Sequence, residues 1–212
     1  MRALPALYLI TPQPDGGDAD FLRDLRCGLA AQAPGSLLVQ FRAHGLRPGH
    51  WHALAGEVVR CCAAHGSPLL LGAAGLDRAA PAQLVRSLRE LGAQGLHLPS
   101  RMLAQPAWRE ACEAIAGEFL LAASCHDAAQ LDAAAELGAA LATVSPVLPT
   151  ASHPGAAGLG WEGLRASCAR ARLPVYALGG LDPGHLSLAR AAGAVGIAAI
   201  RGLWREGQGR QE

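Results

Sequence analysis

Three side chains suited to binding anions or moving protons, Gln40, Arg42 and His44, fall two residues apart. Alternate residues of a strand project to the same face, so an extended segment would bring all three to one site. There a guanidinium suits a phosphate or carboxylate, a carboxamide an amide-type contact, and an imidazole a proton or an anion. A second cluster, Ser124-Cys125-His126-Asp127, closes one apolar run and opens a helical one. Histidine is the side chain suited to general acid–base work near neutral pH, which makes His126 a candidate, while Ser124 or Asp127 could simply cap the helix. Cys125 would need a base on its inward side to act as a nucleophile, and its neighbours alternate outward. A third signal is Ala177-Leu178-Gly179-Gly180-Leu181, followed by Gly196 to Arg201. Glycines between a strand and a helix N-terminus let backbone N–H groups approach a phosphate, to which Ile200 and Arg201 would add contacts. The stretch Ser145 to Pro154 is long and polar in its middle, so Thr150, Ser152 and His153 could close over a ligand. His50 and His52 read as surface residues, and the adjacent Cys61 and Cys62 as core packing.

These positions need a scaffold that gathers strand ends, and the pattern supplies one. Short β-type runs alternate with longer amphipathic ones along the whole chain. Strands are expected at Leu7–Ile10, Leu37–Phe41, Pro68–Leu71, Gly95–Leu98, Phe119–Ala123, Ala140–Val144, Pro174–Leu178 and Val195–Ala199. Helices are expected at Ala19–Ala33, Pro48–His65, Pro81–Leu91, Pro106–Ala116, His126–Leu137, Trp161–Ala171 and Pro183–Ala192, with a short one at the C-terminus. Strict alternation implies an α/β protein with a parallel sheet and right-handed crossovers. Eight units fit a single-domain (β/α)8 TIM barrel spanning about residues 7–204, with 205–212 as a flexible tail. A doubly wound sheet is the alternative. In a barrel the active site lies at the C-terminal strand ends, with phosphate usually bound after strands seven and eight.

Composition narrows the chemistry. Of the 212 residues 51% are hydrophobic and 17% charged, enough apolar surface to bury a core. The formal net charge of +1 argues against nucleic acid as a partner. All 18 basic residues are Arg, and Asn is absent as well. Schiff-base chemistry on lysine, a P-loop lysine and N-glycosylation are thereby excluded. An Ala- and Arg-rich chain without Lys or Asn also fits biased codon usage. The six cysteines show no CxxC or Cys/His spacing and read as reduced, buried thiols. Apolar stretches are broken well before the ~20 residues of a membrane span, and the N-terminus lacks a signal-type apolar core. A cytoplasmic protein is expected.

Taken in order, Tyr8-Leu-Ile-Thr-Pro12, Val39-Gln-Phe-Arg42, Gly92-Ala-Gln-Gly-Leu-His-Leu98, Ser124-Cys-His126, Ser145-Pro-Val-Leu-Pro-Thr150 and Leu178-Gly-Gly180 resemble the thiamine phosphate synthase/TenI family. The likeness runs from about Leu7 to Trp204 and is nearest to the synthase-like domain of bacterial Nudix hydrolase fusions; no Nudix box is present. It implies a TIM barrel acting on thiamine precursors. Synthases of the family join a pyrimidine pyrophosphate to a thiazole phosphate with Mg²⁺. They carry Gln-x-Arg-x-Lys after strand two, Asn-Asp after strand three, an Asp beyond the strand-four His, and Thr-x-Thr-Lys in the long loop. Here His44 and His153 stand where the lysines belong, Leu71-Gly72-Ala73-Ala74 replaces the Asn-Asp region, and Met102 or its neighbour replaces the later Asp. The TenI branch, similar to thiazole tautomerases, needs neither metal nor pyrophosphate and uses a histidine of a Ser-x-His motif, matched by His126. The resemblance therefore implies His126 as the acid–base. Gln40, Arg42, His44, Ser124, Thr150, Ser152 and His153 would contact substrate, and Gly179, Gly180, Ile200 and Arg201 would hold phosphate. No cofactor is expected, with Mg²⁺ needed only if the chain is a synthase. The implied ligand is a phosphorylated thiazole or thiamine phosphate. A homo-oligomer, and a non-catalytic module serving a Nudix hydrolase partner, are compatible with the same residues.

Overall fold

Eight parallel strands close into a barrel in the order β1 to β8, each β-strand hydrogen-bonded to its sequence neighbours and β8 to β1. The structure is a computed structural model that describes residues 4–73, 81–150 and 157–204. The strands are β1 Leu7–Ile10, β2 Leu37–Phe41, β3 Leu69–Gly72, β4 Gly95–Leu98, β5 Leu120–Cys125, β6 Leu141–Val144, β7 Val175–Leu178 and β8 Gly196–Ala199. Between them lie α1 Asp18–Ala30, α2 Pro48–His65, α3 Pro81–Leu91, α4 Pro106–Ile115, α5 Ala128–Glu136, α6 Gly160–Arg170 and α7 Leu186–Ala191. The doubly wound alternative is thereby ruled out, because closure pairs Leu7 with both Leu37 and Ile197.

Residue parity creates two apolar layers. Tyr8, Ile10, Leu38, Leu70, Ala122, Leu141, Tyr176 and Ala198 fill the barrel interior. The opposite parity, including Leu9, Val39, Leu71, Leu96, Ala123, Val144 and Ile197, packs outward under the helices. The interior holds two tyrosines in edge contact, Tyr8 and Tyr176, with centroids 5.5 Å apart. Alternation of large rings with Ala and Gly fills the taper of a small barrel.

Several boundaries differ from the sequence expectation. The first helix ends at Ala30, not Ala33, and β3 is shifted by one residue to end at Gly72. β5 runs on through Cys125, and α5 starts only at Ala128, where the Asp127 side chain accepts from the Gln130 N–H at 2.8 Å. His126 therefore belongs to the strand–helix connection, not to the helix. The seventh helix begins as a 3-10 turn at Pro183–His185 and leaves α7 only six residues. Residues 201–203 form a turn where a short C-terminal helix was expected. The proposed flexible tail at 205–212 lies outside the described residues.

Candidate active site

The inward parity that is apolar low in the barrel turns polar at its C-terminal end. Gln40, His97 and Ser124 are the last inward residues of β2, β4 and β5, and Arg42, His44, His126 and Ser145 continue that side past the strand ends. With Thr150 they line a cavity of about 620 Å³, closed opposite by Leu178, Gly179, Gly180, Ile200 and Arg201. Every candidate within the described residues thus reaches one cavity. Ser152 and His153 lie outside the described residues.

On the β2 side, Gln40 is only 6% exposed, and its carboxamide oxygen is buried with no hydrogen-bond partner among the described residues. Arg42 is half-buried, and burial lowers its pKa. Its side chain makes no ion pair among the described residues, leaving a partly desolvated guanidinium facing the cavity. Such a cation favours an anionic ligand with two acceptor oxygens. The backbone here is pinned by Thr11, whose hydroxyl accepts from the Arg42 N–H at 2.9 Å. His44 is held by its N–H on the side-chain oxygen of Gln13 at 2.9 Å.

The β5 side carries the imidazole. His126 Nδ1 lies 2.8 Å from the backbone oxygen of Ser145 and 3.3 Å from its hydroxyl. A carbonyl oxygen only accepts, so Nδ1 bears the hydrogen and Nε2 is the nitrogen that takes up a proton. The carboxamide of Gln130 accepts the His126 N–H at 2.8 Å, which fixes the turn carrying the ring. Cys125 points the other way: it is fully buried in the outer layer and its thiol is pushed up to about 12, chiefly by burial. That environment suits packing, not nucleophilic attack. None of the six cysteines is disulfide-bonded, although Cys27, Cys61 and Cys168 are only partly buried. His50 pairs with Asp18 at the surface, whereas His52 is half-buried.

On the β7–β8 side, Gly179 and Gly180 have φ of 104° and 67°. A Cβ at Gly179 would lie 2.8 Å from Pro146 Cα, and one at Gly180 2.7 Å from the Pro149 oxygen. The pair is therefore required by the loop after β6, which enters through a cis Ser145–Pro146 bond and clips onto β7 through Val147 N–H to Leu178 O at 2.9 Å and Leu148 N–H to Gly179 O at 3.1 Å. The N–H groups of Gly179, Gly180, Ile200 and Arg201 have no backbone acceptor among the described residues. Together they can act as an anion-binding nest. The expected help from a helix dipole is not there: the following 3-10 turn is capped by Asp182, which accepts from Gly184 N–H at 2.8 Å, and α7 is short.

Sequence reasoning assigned no site role to five further polar residues of the lining, His97, Ser100, Arg101, Ser145 and Asp182. His97 carried a signal, a polar residue at an inward strand position; Arg101, in a 3-10 turn at Ser100–Met102, and Ser145 come from connections with no such period. The Mg²⁺ implied by a synthase does not fit the described residues. Among the described residues Asp182 is the one acidic side chain of the lining, and it is occupied as a cap. Gly72 stands in the region where the family carries its Asn-Asp pair, and a Cβ there would lie 2.8 Å from the Phe41 oxygen and 3.1 Å from Gln40 Nε2. No group of three metal-ligating side chains occurs among the described residues, and Mg²⁺ needs hard oxygen donors.

Known proteins share both the sequence and the barrel. A family model described as thiamine monophosphate synthase (TMP-TENI) matches residues 7–203. A thiamine-phosphate synthase of Salinispora arenicola is 33% identical over 205 residues, covering 96% of this chain and 91% of its own. That of Chromobacterium violaceum is 31% identical over 201 residues, covering 93% and 87%. A thiamine phosphate pyrophosphorylase from Pyrococcus furiosus superposes with a TM-score of 0.69 at 21% identity, over 93% of this chain and 85% of that one. The family model and the sequence matches decide the assignment, with which the barrel fold agrees: the chain belongs to the thiamine monophosphate synthase family of thiamine biosynthesis.

Proposed function

We propose that the protein binds a phosphorylated thiazole and catalyses its metal-independent tautomerisation, a proton being taken from one carbon of the thiazole carboxylate phosphate and returned to another. The observation that carries this reading is the His126 ring, which lines the cavity and is fixed by the Ser145 carbonyl oxygen at Nδ1. His126 would remove the proton in one step and redonate it in the next, so the reaction needs no second reactant. The glycine nest with Ile200 and Arg201 would hold the phosphate, and Arg42 the carboxylate. Gln40, His44, Ser124 and Thr150 complete the substrate contacts, as Ser152 and His153 would from the rest of the loop.

The misfit of the metal supports this reading over full synthase turnover, because departure of pyrophosphate would lack its main charge stabilisation. The test supplies the thiazole carboxylate phosphate as its non-aromatic tautomer and follows formation of the aromatic ring by ultraviolet absorption. Conversion that disappears in His126→Ala supports the assignment. Conversion that survives the substitution removes His126 from the mechanism. Formation of thiamine phosphate from the two phosphorylated precursors, dependent on Mg²⁺, would establish the synthase instead. Tight binding of thiazole phosphate without turnover would leave a ligand-binding module serving a separate enzyme, such as a Nudix hydrolase.

A further inference from the structure

From the cavity wall into the barrel interior runs a chain of hydrogen bonds whose inner members, Tyr8 and His97, have no role in the proposed reaction. The Tyr8 hydroxyl lies 2.7 Å from His97 Nδ1, and His97 Nε2 lies 2.8 Å from the Ser124 hydroxyl. Tyr8 and His97 are buried in the barrel interior, at 0% and 2% exposure. Ser124 is part-buried and lines the cavity.

Two arrangements of hydrogens satisfy those distances. In one, Nδ1–H donates to the tyrosine oxygen and Ser124 donates to Nε2. The Tyr8 O–H would then need another acceptor, and among the described residues Tyr8 makes no other hydrogen bond. A buried donor left without a partner disfavours that arrangement about tenfold or more. In the other, Tyr8 O–H donates to Nδ1, His97 carries its hydrogen on Nε2, and Nε2–H donates to Ser124. Every buried donor is then used, and the Ser124 hydroxyl, whose oxygen is already occupied, turns its own hydrogen into the cavity. Both buried groups stay neutral in that arrangement: burial raises the Tyr8 pKa well above its ordinary value and lowers that of His97 to about 3.

We infer that Tyr8 and His97 are positioning residues that fix Ser124 as a hydrogen-bond donor to the ligand, so that the ligand atom facing Ser124 must be an acceptor. A carboxylate or phosphate oxygen or an unprotonated ring nitrogen meets that requirement; an amino group does not. The orientation of His97 is independent of the ligand proposed above, whereas the ligand's response rests on that reading.

The test has two arms. Long-range proton–nitrogen correlation spectra of the ¹⁵N-labelled protein, with His97→Gln for assignment, are expected to show a neutral His97 with hydrogen on Nε2 throughout pH 5–8. Tyr8→Phe, which removes one oxygen at nearly constant volume, leaves Nδ1 without its donor, so the Nδ1 resonance is expected to shift toward that of an unbonded, unprotonated ring nitrogen while the hydrogen stays on Nε2. A His97 hydrogen on Nδ1 in the unaltered protein, or an Nδ1 resonance indifferent to Tyr8→Phe, overturns the inference. In the second arm, thiazole phosphate is titrated calorimetrically. Ser124→Ala is expected to weaken binding about three- to tenfold, Tyr8→Phe in the same direction, and Ser124→Thr to restore it. Equal affinity in all four proteins overturns the donor role. If the unaltered protein binds no thiazole phosphate, the proposed ligand falls and the tautomer spectra alone decide the inference.

Discussion

The ring of His126 is tied to the carbonyl oxygen of Ser145, 2.8 Å from Nδ1, across the seam between β5 and β6. That one bond selects the tautomer, because the acceptor has no hydrogen to give. His126→Ala or His126→Asn is therefore expected to lower kcat for the tautomerisation by about 10²- to 10⁴-fold. Affinity for thiazole phosphate should change little. Steady-state kinetics beside calorimetry check the split; a matched loss of binding would make His126 a binding residue.

Arg42 lines the cavity and makes no ion pair among the described residues. Arg42→Gln keeps polarity and removes the charge, and is expected to weaken binding of the carboxylated thiazole phosphate about 10- to 100-fold, the scale of a hydrogen bond to a charged group. The decarboxylated compound should lose much less. Equal losses for the two compounds would move Arg42 to the phosphate.

Gly180 has φ of 67°, and its missing Cβ would sit 2.7 Å from the Pro149 oxygen. Gly180→Ala combines a left-handed backbone with a collision, and is expected to cost about 2 kcal/mol or more. For a chain of this size that is a fall in Tm of about 4–8 °C, measurable by calorimetry. Weaker phosphate binding should accompany it, since the same residue shapes the nest.

His97 gives stability a pH dependence of definite sign. Its folded-state pKa is lowered by burial to about 3, against about 6.5 for an unfolded-chain histidine. Between those values the unfolded chain binds the proton and the folded one does not. The contribution is therefore complete above about pH 6.5 and lost as pH falls toward 3, by about 1.4 kcal/mol per unit. Denaturant titrations at pH 7 and pH 5 should show a smaller loss for His97→Gln than for the unaltered protein. Equal losses would mean that His97 already titrates normally in the fold.

The described donor set is unsuited to Mg²⁺, so tautomerase activity is expected to be the same in EDTA as in millimolar Mg²⁺. An activity abolished by EDTA and restored by Mg²⁺ would refute that expectation.

Much of this was legible in the sequence. Eight apolar runs separated by amphipathic ones require a parallel sheet, since each crossover must return on the same side. The two-residue period placed Gln40, Arg42 and His44 on one side before any coordinates, and it turned Cys125 away from the site that His126 enters. The double glycine was equally visible, but its reason was not. Its positive φ angles answer the approach of Pro146 and Pro149, residues over thirty positions upstream, which no local pattern contains. Likewise Tyr8 and His97 are 89 residues apart, and only barrel closure brings the hydroxyl onto the imidazole. Residue types and their period determine which side chains face inward; which of those meet, and which nitrogen of a buried ring keeps its hydrogen, depends on contacts across the barrel that exist only once the strands have paired.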